Sequence, residues 1–165
     1  MNIMTFCYDT LPGNASFRIF ILEPGEVGHS LQGSLKTYSR DTAPPYEALS
    51  YVWGSPHRTE SMECNGQNFP ITESLDAALR HIRSSYSPRL FWIDQMCIKQ
   101  SDLGERRQQV TIMREIYADA KMVTAWLGLK GAEQAESVAD VILQMARNRR
   151  LIFYLGNKAS LEITT

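Results

Sequence analysis

The chain has 165 residues, enough for one hydrophobic core and too few for two ordinary domains. Hydrophobic residues at 44% and charged residues at 21% exclude a disordered tail or a coiled coil as the overall description. Seventeen Lys and Arg against 18 Asp and Glu leave a net charge of −1, so no global field draws the protein to nucleic acid or to an anionic membrane.

The first expected element is a strand over Phe17 to Leu22, bounded by Pro12-Gly13-Asn14 and Pro24-Gly25. A loop rich in Gly, Ser and Pro follows, ending at Pro44-Pro45. Ala48 to Val52 reads as a short strand stopped by Trp53-Gly54-Ser55-Pro56. Asn65-Gly66, suited to the positive φ angles of a type I′ turn, then joins two arms of a hairpin, and Pro70 makes the second arm an edge strand. From Thr72 the period changes. Leu75, Ala78, Leu79 and Ile82 fall on one helical face, with Glu73 and Asp76 in the first turn where the helix dipole favours acids.

Leu90-Phe91-Trp92-Ile93 is a continuous apolar run, as expected of a strand covered on both faces, and Asp94 ends it. A second helix begins near Asp102, whose spacing to Glu105 resembles a capping box; its apolar stripe is Val110, Ile112, Met113, Ile116, Tyr117 and Ala120. Lys121 to Leu127 gives a further strand, Gly128 to Gly131 a turn, and Val138, Val141, Ile142 and Met145 the inner face of a third helix. The expected domain is single over 1–165, with its core at about 17–155 and residues 156–165 as a tail or the start of a further region.

Strands alternating with helices from residue 48 imply right-handed crossovers and an α/β fold, a mostly parallel sheet with helices on both faces, plus the N-terminal strand and the hairpin. Ligands of such sheets bind outside the carboxyl ends of the strands. Trp53-Gly54-Ser55, the stretch from Asp94 to Gln100, and Gly128-Leu129-Lys130 should therefore meet at one rim. Asp94 either accepts hydrogen bonds from the turn after it or binds ribose hydroxyls and stabilises positive charge on a sugar ring. Trp53 beside Gly54 is placed to stack an adenine or nicotinamide ring, or belongs to the core like Trp92. Glu105 reads as a helix cap, Glu47 as a solvated edge charge, and Glu133 and Glu136 as surface acids on a turn that opens toward the crevice.

Three scattered cysteines, Cys7, Cys64 and Cys97, give neither a disulfide framework nor a zinc pattern, so no metal is expected and the thiols read as reduced and cytoplasmic. A nucleophile pair of Cys97 with His57 has no support in the spacing. The N-terminus lacks the pattern of a signal peptide, and no apolar run is long enough to span a membrane. Fingerprints of the form GxxxxGK[ST], GxGxxG, HExxH and GxSxG are absent.

Tyr46 to Gly54 as YEALSYVWG, Leu90 to Gln100 as LFWIDQMCIKQ, Glu105 to Val110 as ERRQQV, Tyr117, and Val123 to Gly128 as VTAWLG together resemble the fungal heterokaryon incompatibility (HET) domain. The chain departs from that family at Lys99, where Asn is usual. Members usually carry a long further region, so the chain reads as a truncated form, a degenerate copy or a short paralogue. The resemblance implies a role in fungal self/non-self recognition and programmed cell death. Through the similarity of HET domains to Toll and interleukin receptor homology (TIR) domains, it also implies a flavodoxin-like fold and NAD as a substrate, with no cofactor required. The acids it offers for catalysis are Asp94, Glu105, Glu133 and Glu136, and the NAD contacts are Ser50, Trp53, Gly54, Ser55 and Gln100. Expected partners are further copies of the chain or other proteins of the incompatibility pathway. A non-enzymatic signalling module is the competing reading.

Overall fold

The computed structural model describes residues 6–128, 150–155 and 158–164. In chain order the elements are β1 (Ser16–Leu22), β2 (Gln32–Ser39), β3 (Glu47–Tyr51), β4 (Glu60–Cys64), β5 (Gln67–Ile71), α1 (Glu73–Ile82), β6 (Arg89–Trp92), α2 (Asp94–Cys97), α3 (Leu103–Asp119), β7 (Met122–Trp126), β8 (Arg150–Leu155) and β9 (Lys158–Thr164). All nine strands join one sheet in the order β5-β4-β2-β1-β6-β3-β7-β8-β9. The turn from Gly128, the expected third helix at Val138 to Met145 and the acids Glu133 and Glu136 lie outside the described residues, apart from Gly128 itself, which has φ +82°.

The fold is α/β, but the sheet is mixed rather than mostly parallel. β3 runs parallel to both β6 and β7, β7 to β8, and β2 to β4, while β1·β2, β1·β6, β4·β5 and β8·β9 are antiparallel. Within the parallel core β6-β3-β7-β8, the alternation of strands and helices anticipates β3, β6 and β7. β1 is no appendage: it lies inside the sheet between β2 and β6.

Two further expectations, on the loop after β1 and on Val110, are corrected. The loop after β1 contains β2, which pairs with β1 over seven residues from Ser16↔Ser39 to Leu22↔Gly33. Its own sequence, QGSLKTYS, has only Leu35 buried, so the partner strand rather than an apolar pattern specifies it. Residues 158–164, within the stretch 156–165 expected as a tail or the start of a further region, pair as β9 with β8. Val110, placed in the buried stripe of α3, is 59% exposed, while Gln109 is fully buried because its amide donates to the Ser16 carbonyl at 2.9 Å.

Local chemistry explains the elements nearest the site. Asn65 (φ 52°) and Gly66 (φ 73°) form the tight β4–β5 turn in the conformation that this pair tolerates. Thr72 caps α1, its hydroxyl accepting from the Leu75 amide, and Leu75, Ala78, Leu79 and Ile82 are buried beneath that helix. Asp102 caps α3 in the same way, accepting from the Glu105 amide at 3.0 Å.

α1 and α3 cover opposite faces of the sheet. On one face, Arg89 and Thr124 bond Glu47, Arg89 also reaches the Ile82 carbonyl at the end of α1, and His81 of α1 stacks on Trp126 at 4.6 Å. On the other face Tyr46 donates to the Ile116 carbonyl, and Trp92 meets Tyr117 edge-on at 5.4 Å. Phe17, Ile19, Phe20, Leu49, Phe91, Trp92 and Ile93 fill the centre, each no more than 1% exposed.

Candidate functional site

At the carboxyl ends of β3 and β6 the chain leaves two parallel neighbours, and both exits are fixed by short-range bonds. After β6, Asp94 opens the single turn of α2, and the Met96 and Cys97 amides donate to the Ile93 carbonyl. The Gln100 side chain closes the loop by donating to the Asp94 carbonyl at 2.8 Å. After β3, Ser74 in the first turn of α1 donates to the Val52 carbonyl at 2.5 Å, and Gly54 takes φ +65°, which glycine adopts without strain.

These exits bring Trp53 and Asp94 together. The indole Nε1–H points at both carboxylate oxygens, 3.2 Å from Oδ1 and 3.0 Å from Oδ2, and the Gln95 amide donates to Oδ1 at 2.7 Å. Both residues are half-buried. Burial raises the Asp94 pKa above the ordinary carboxylate value, and the donors Gln95 and Trp53 oppose the shift by favouring the charged form.

Two phenols outside the anticipated site residues complete the neighbourhood. Tyr117 donates to the Leu49 carbonyl at 3.2 Å. Tyr51 has a buried hydroxyl with no hydrogen-bond partner among the described residues. Both pKa values are pushed upward, first by burial and then by the charge of Asp94, so both remain neutral hydroxyls beside that carboxylate. The available signal for Tyr51 was a tyrosine, rather than phenylalanine, at the end of a strand.

The other anticipated residues are dispersed. Ser50 is half-buried on β3, and Ser55 is exposed next to the Trp-Gly turn, accepting from the His57 amide at 3.4 Å. Glu105 faces inward and is bound by Arg18: the guanidinium lies 2.6 Å from Oε1 and 3.0 Å from Oε2, and the Lys99 amide adds a bond of 2.7 Å. Arg18 also donates to the carbonyls of Cys97 and Asp9. Glu105 therefore fixes the loop behind Asp94, with both oxygens engaged by donors of its own chain. Arg18 was missed although it is the one charge in SFRIFIL.

Glu47, expected as a solvated edge charge, is 3% exposed in mid-sheet. It is bound by the Arg89 fork and by the Thr124 hydroxyl at 2.9 Å. Glu133 and Glu136 lie outside the described residues. Cys97 is buried, with its thiol pushed up to about 12 by burial, whereas His57 is exposed, so the two form no nucleophile pair.

Among the described residues no group of three His, Cys, Asp or Glu could hold a metal ion, and no helix is long and apolar enough to cross a membrane. A shallow groove of 310 Å³ lined by Ser30, Met62, Glu63, Gln67 and Asn68 belongs to the β4–β5 region, not to the strands that carry Asp94.

A family model described as "Heterokaryon incompatibility protein (HET)" matches residues 46–158. Over 125 residues the chain is 37% identical to "Heterokaryon incompatibility protein 6, OR allele" of Neurospora crassa, a match covering 67% of this chain and 18% of that relative. The chain thus spans less than a fifth of the curated relative it matches. No solved structure matches it.

Proposed function

The chain belongs to the heterokaryon incompatibility (HET) domain family, and from that premise we propose that it acts in fungal self/non-self recognition leading to programmed cell death, by hydrolysing NAD at the crevice beside Asp94. Family membership supports the biological half of this reading. The chemical half rests on one observation, the contact of the Trp53 indole with both oxygens of Asp94 at 3.0 and 3.2 Å, which joins a π-surface and a carboxylate at the ends of adjacent parallel strands. The order β6-β3-β7-β8, with the first parallel strand between the second and third, supports a TIR-like, flavodoxin-like reading, because ligands of such sheets sit where the strand order reverses.

In the proposed reaction the bond between nicotinamide and ribose breaks with its electron pair going to nicotinamide. Positive charge grows on the ribose ring, and water adds at the same carbon and releases a proton, leaving ADP-ribose. A carboxylate held beside the ribose stabilises that charge. Asp94 supplies it, with the neutral Tyr51 and Tyr117 hydroxyls nearby. Trp53 offers a ring face, Gln100 fixes the Asp94 backbone, and the Gly54-Ser55 turn lets the backbone approach phosphate. Glu133 or Glu136 supplies the second acid in this scheme.

The competing reading is a signalling module without chemistry. It is favoured by the same carboxylate's engagement with donors of its own chain, Trp53 and Gln95. Incubation of concentrated protein with NAD and measurement of free nicotinamide separates the two. The enzyme reading expects release that Asp94→Ala abolishes and Glu136→Ala diminishes; no release from a sample shown to self-associate rejects it.

A further inference from the structure

We propose that Tyr51 is a ligand-binding residue of the crevice: its hydroxyl donates a hydrogen bond to a ribose hydroxyl that in turn donates to Oδ2 of Asp94. The inference rests on the reading of this crevice as the site for NAD, and deepens it by assigning the group that recognises the sugar.

Hydrogen-bond accounting carries it. Buried hydroxyls of folded chains nearly always have a partner. Tyr46 and Tyr117 donate to the Ile116 and Leu49 carbonyls, and Tyr8 donates to the Met96 carbonyl. The Tyr51 hydroxyl is shielded from solvent, yet among the described residues it has no partner. The chain keeps a donor that it does not use, at a cost to its own stability. Burial and the charge of Asp94 keep the proton on this phenol.

The sheet register places that donor beside the carboxylate. Tyr51 ends β3, and the parallel pairing Ala48↔Trp92, continued along both strands, sets Ser50 level with Asp94 and Tyr51 one residue beyond. Oδ1 of Asp94 accepts from the Trp53 indole and from the Gln95 amide, whereas Oδ2 accepts from Trp53 alone among the described residues. Each oxygen of an ionised carboxylate can accept about two bonds. An unused donor next to an acceptor with capacity to spare fits a group that both accepts and donates, which a sugar hydroxyl does. A phosphate offers acceptors only and would set its charge against Asp94. Because the phenol is shielded from solvent, the sugar reaches it by displacing the half-buried Trp53 ring, whose N–H holds the same oxygen.

Tyr51→Phe separates this role from a packing role. ADP-ribose, which binds without being hydrolysed, is titrated by calorimetry into the wild-type chain and the variant, and both are unfolded in urea without ligand. Removing an unpaired buried hydroxyl should leave the urea midpoint equal to or above that of the wild type, while ADP-ribose binds about tenfold more weakly. Tyr117→Phe leaves the Leu49 carbonyl without its donor, so it should lower the midpoint and calibrates the comparison. A Tyr51→Phe midpoint that falls as far as that of Tyr117→Phe overturns the assignment, because the hydroxyl is then spent inside the chain. Equal ADP-ribose affinity in the two proteins overturns it as well, as does a wild-type chain that binds none at about millimolar concentration. Nicotinamide release is read separately. A chain that binds ADP-ribose through Tyr51 but releases no nicotinamide from NAD rejects hydrolysis and leaves this inference standing, whereas release with an unchanged Tyr51→Phe affinity does the reverse.

Discussion

Asp94 holds its proton more tightly in the folded chain than in the unfolded one, because burial penalises its charge more than Trp53 and Gln95 compensate. The folded pKa is raised, so the contribution of this group to stability is fully present below the unfolded value, about 4, and is lost as pH rises through the higher folded value. Asparagine keeps an oxygen for the indole N–H and removes the titration. Thermal melts from about pH 3 to about pH 8 should therefore show the midpoint of Asp94→Asn gaining on that of the wild type above about pH 4, then a constant gap once the folded carboxyl has ionised. A gap that stays flat across the range would mean that burial does not raise this carboxyl. The tyrosines beside it titrate far above this window and do not confuse the reading.

Within α3 the difference between Gln109 and Val110 makes a sharper test than any general statement about helices. Ile116 is fully buried, so Ile116→Ala should cost about 2–5 kcal/mol in urea unfolding, whereas Val110→Ala on the exposed face should stay within about 0.5 kcal/mol of wild type. An apolar count puts Val110 inside; a hydrogen bond across 93 residues, from Gln109 to Ser16, turns the helix by one position instead. Elements whose own chemistry specifies them were legible from sequence: the Asn65-Gly66 turn, the Thr72 and Asp102 caps, the face of α1 and the buried β6. Those specified by a remote partner were not. β2 is a strand because β1 lies beside it, and Glu47 is inside because Arg89 and Thr124 bind it. The rim residues Trp53 and Asp94 were legible because strand ends of a parallel sheet point one way. Tyr51, Tyr117 and Arg18 were not, because their roles depend on what packs over them.

At the scale of the molecule, two buried ion pairs tie distant parts of the chain: Arg18 with Glu105, and Arg89 with Glu47. Removing one partner strands the other in a medium that solvates it poorly, so Glu105→Ala should cost about 3–5 kcal/mol. Replacing both partners with apolar residues of similar volume, Arg18→Met with Glu105→Leu, should recover most of that loss in the same urea titration. If the double variant is no better than the single, the Cys97, Asp9 and Lys99 contacts, rather than the charge pair itself, carry the stability.

The position of β3 bears on how the chain reaches this state. Both of its neighbours, β6 and β7, are synthesised later, and the second arrives only with residues 122–126. A nascent chain emerging from the ribosome holds this strand without either neighbour for some forty residues, the span from Tyr51 to Arg89, and with one side still open until Met122. Closing such wide loops is slow, and an unpaired strand adheres to others in the meantime. The sheet around β3 should thus form only after β6 has been made, with chaperone dependence greatest for products halted before β6.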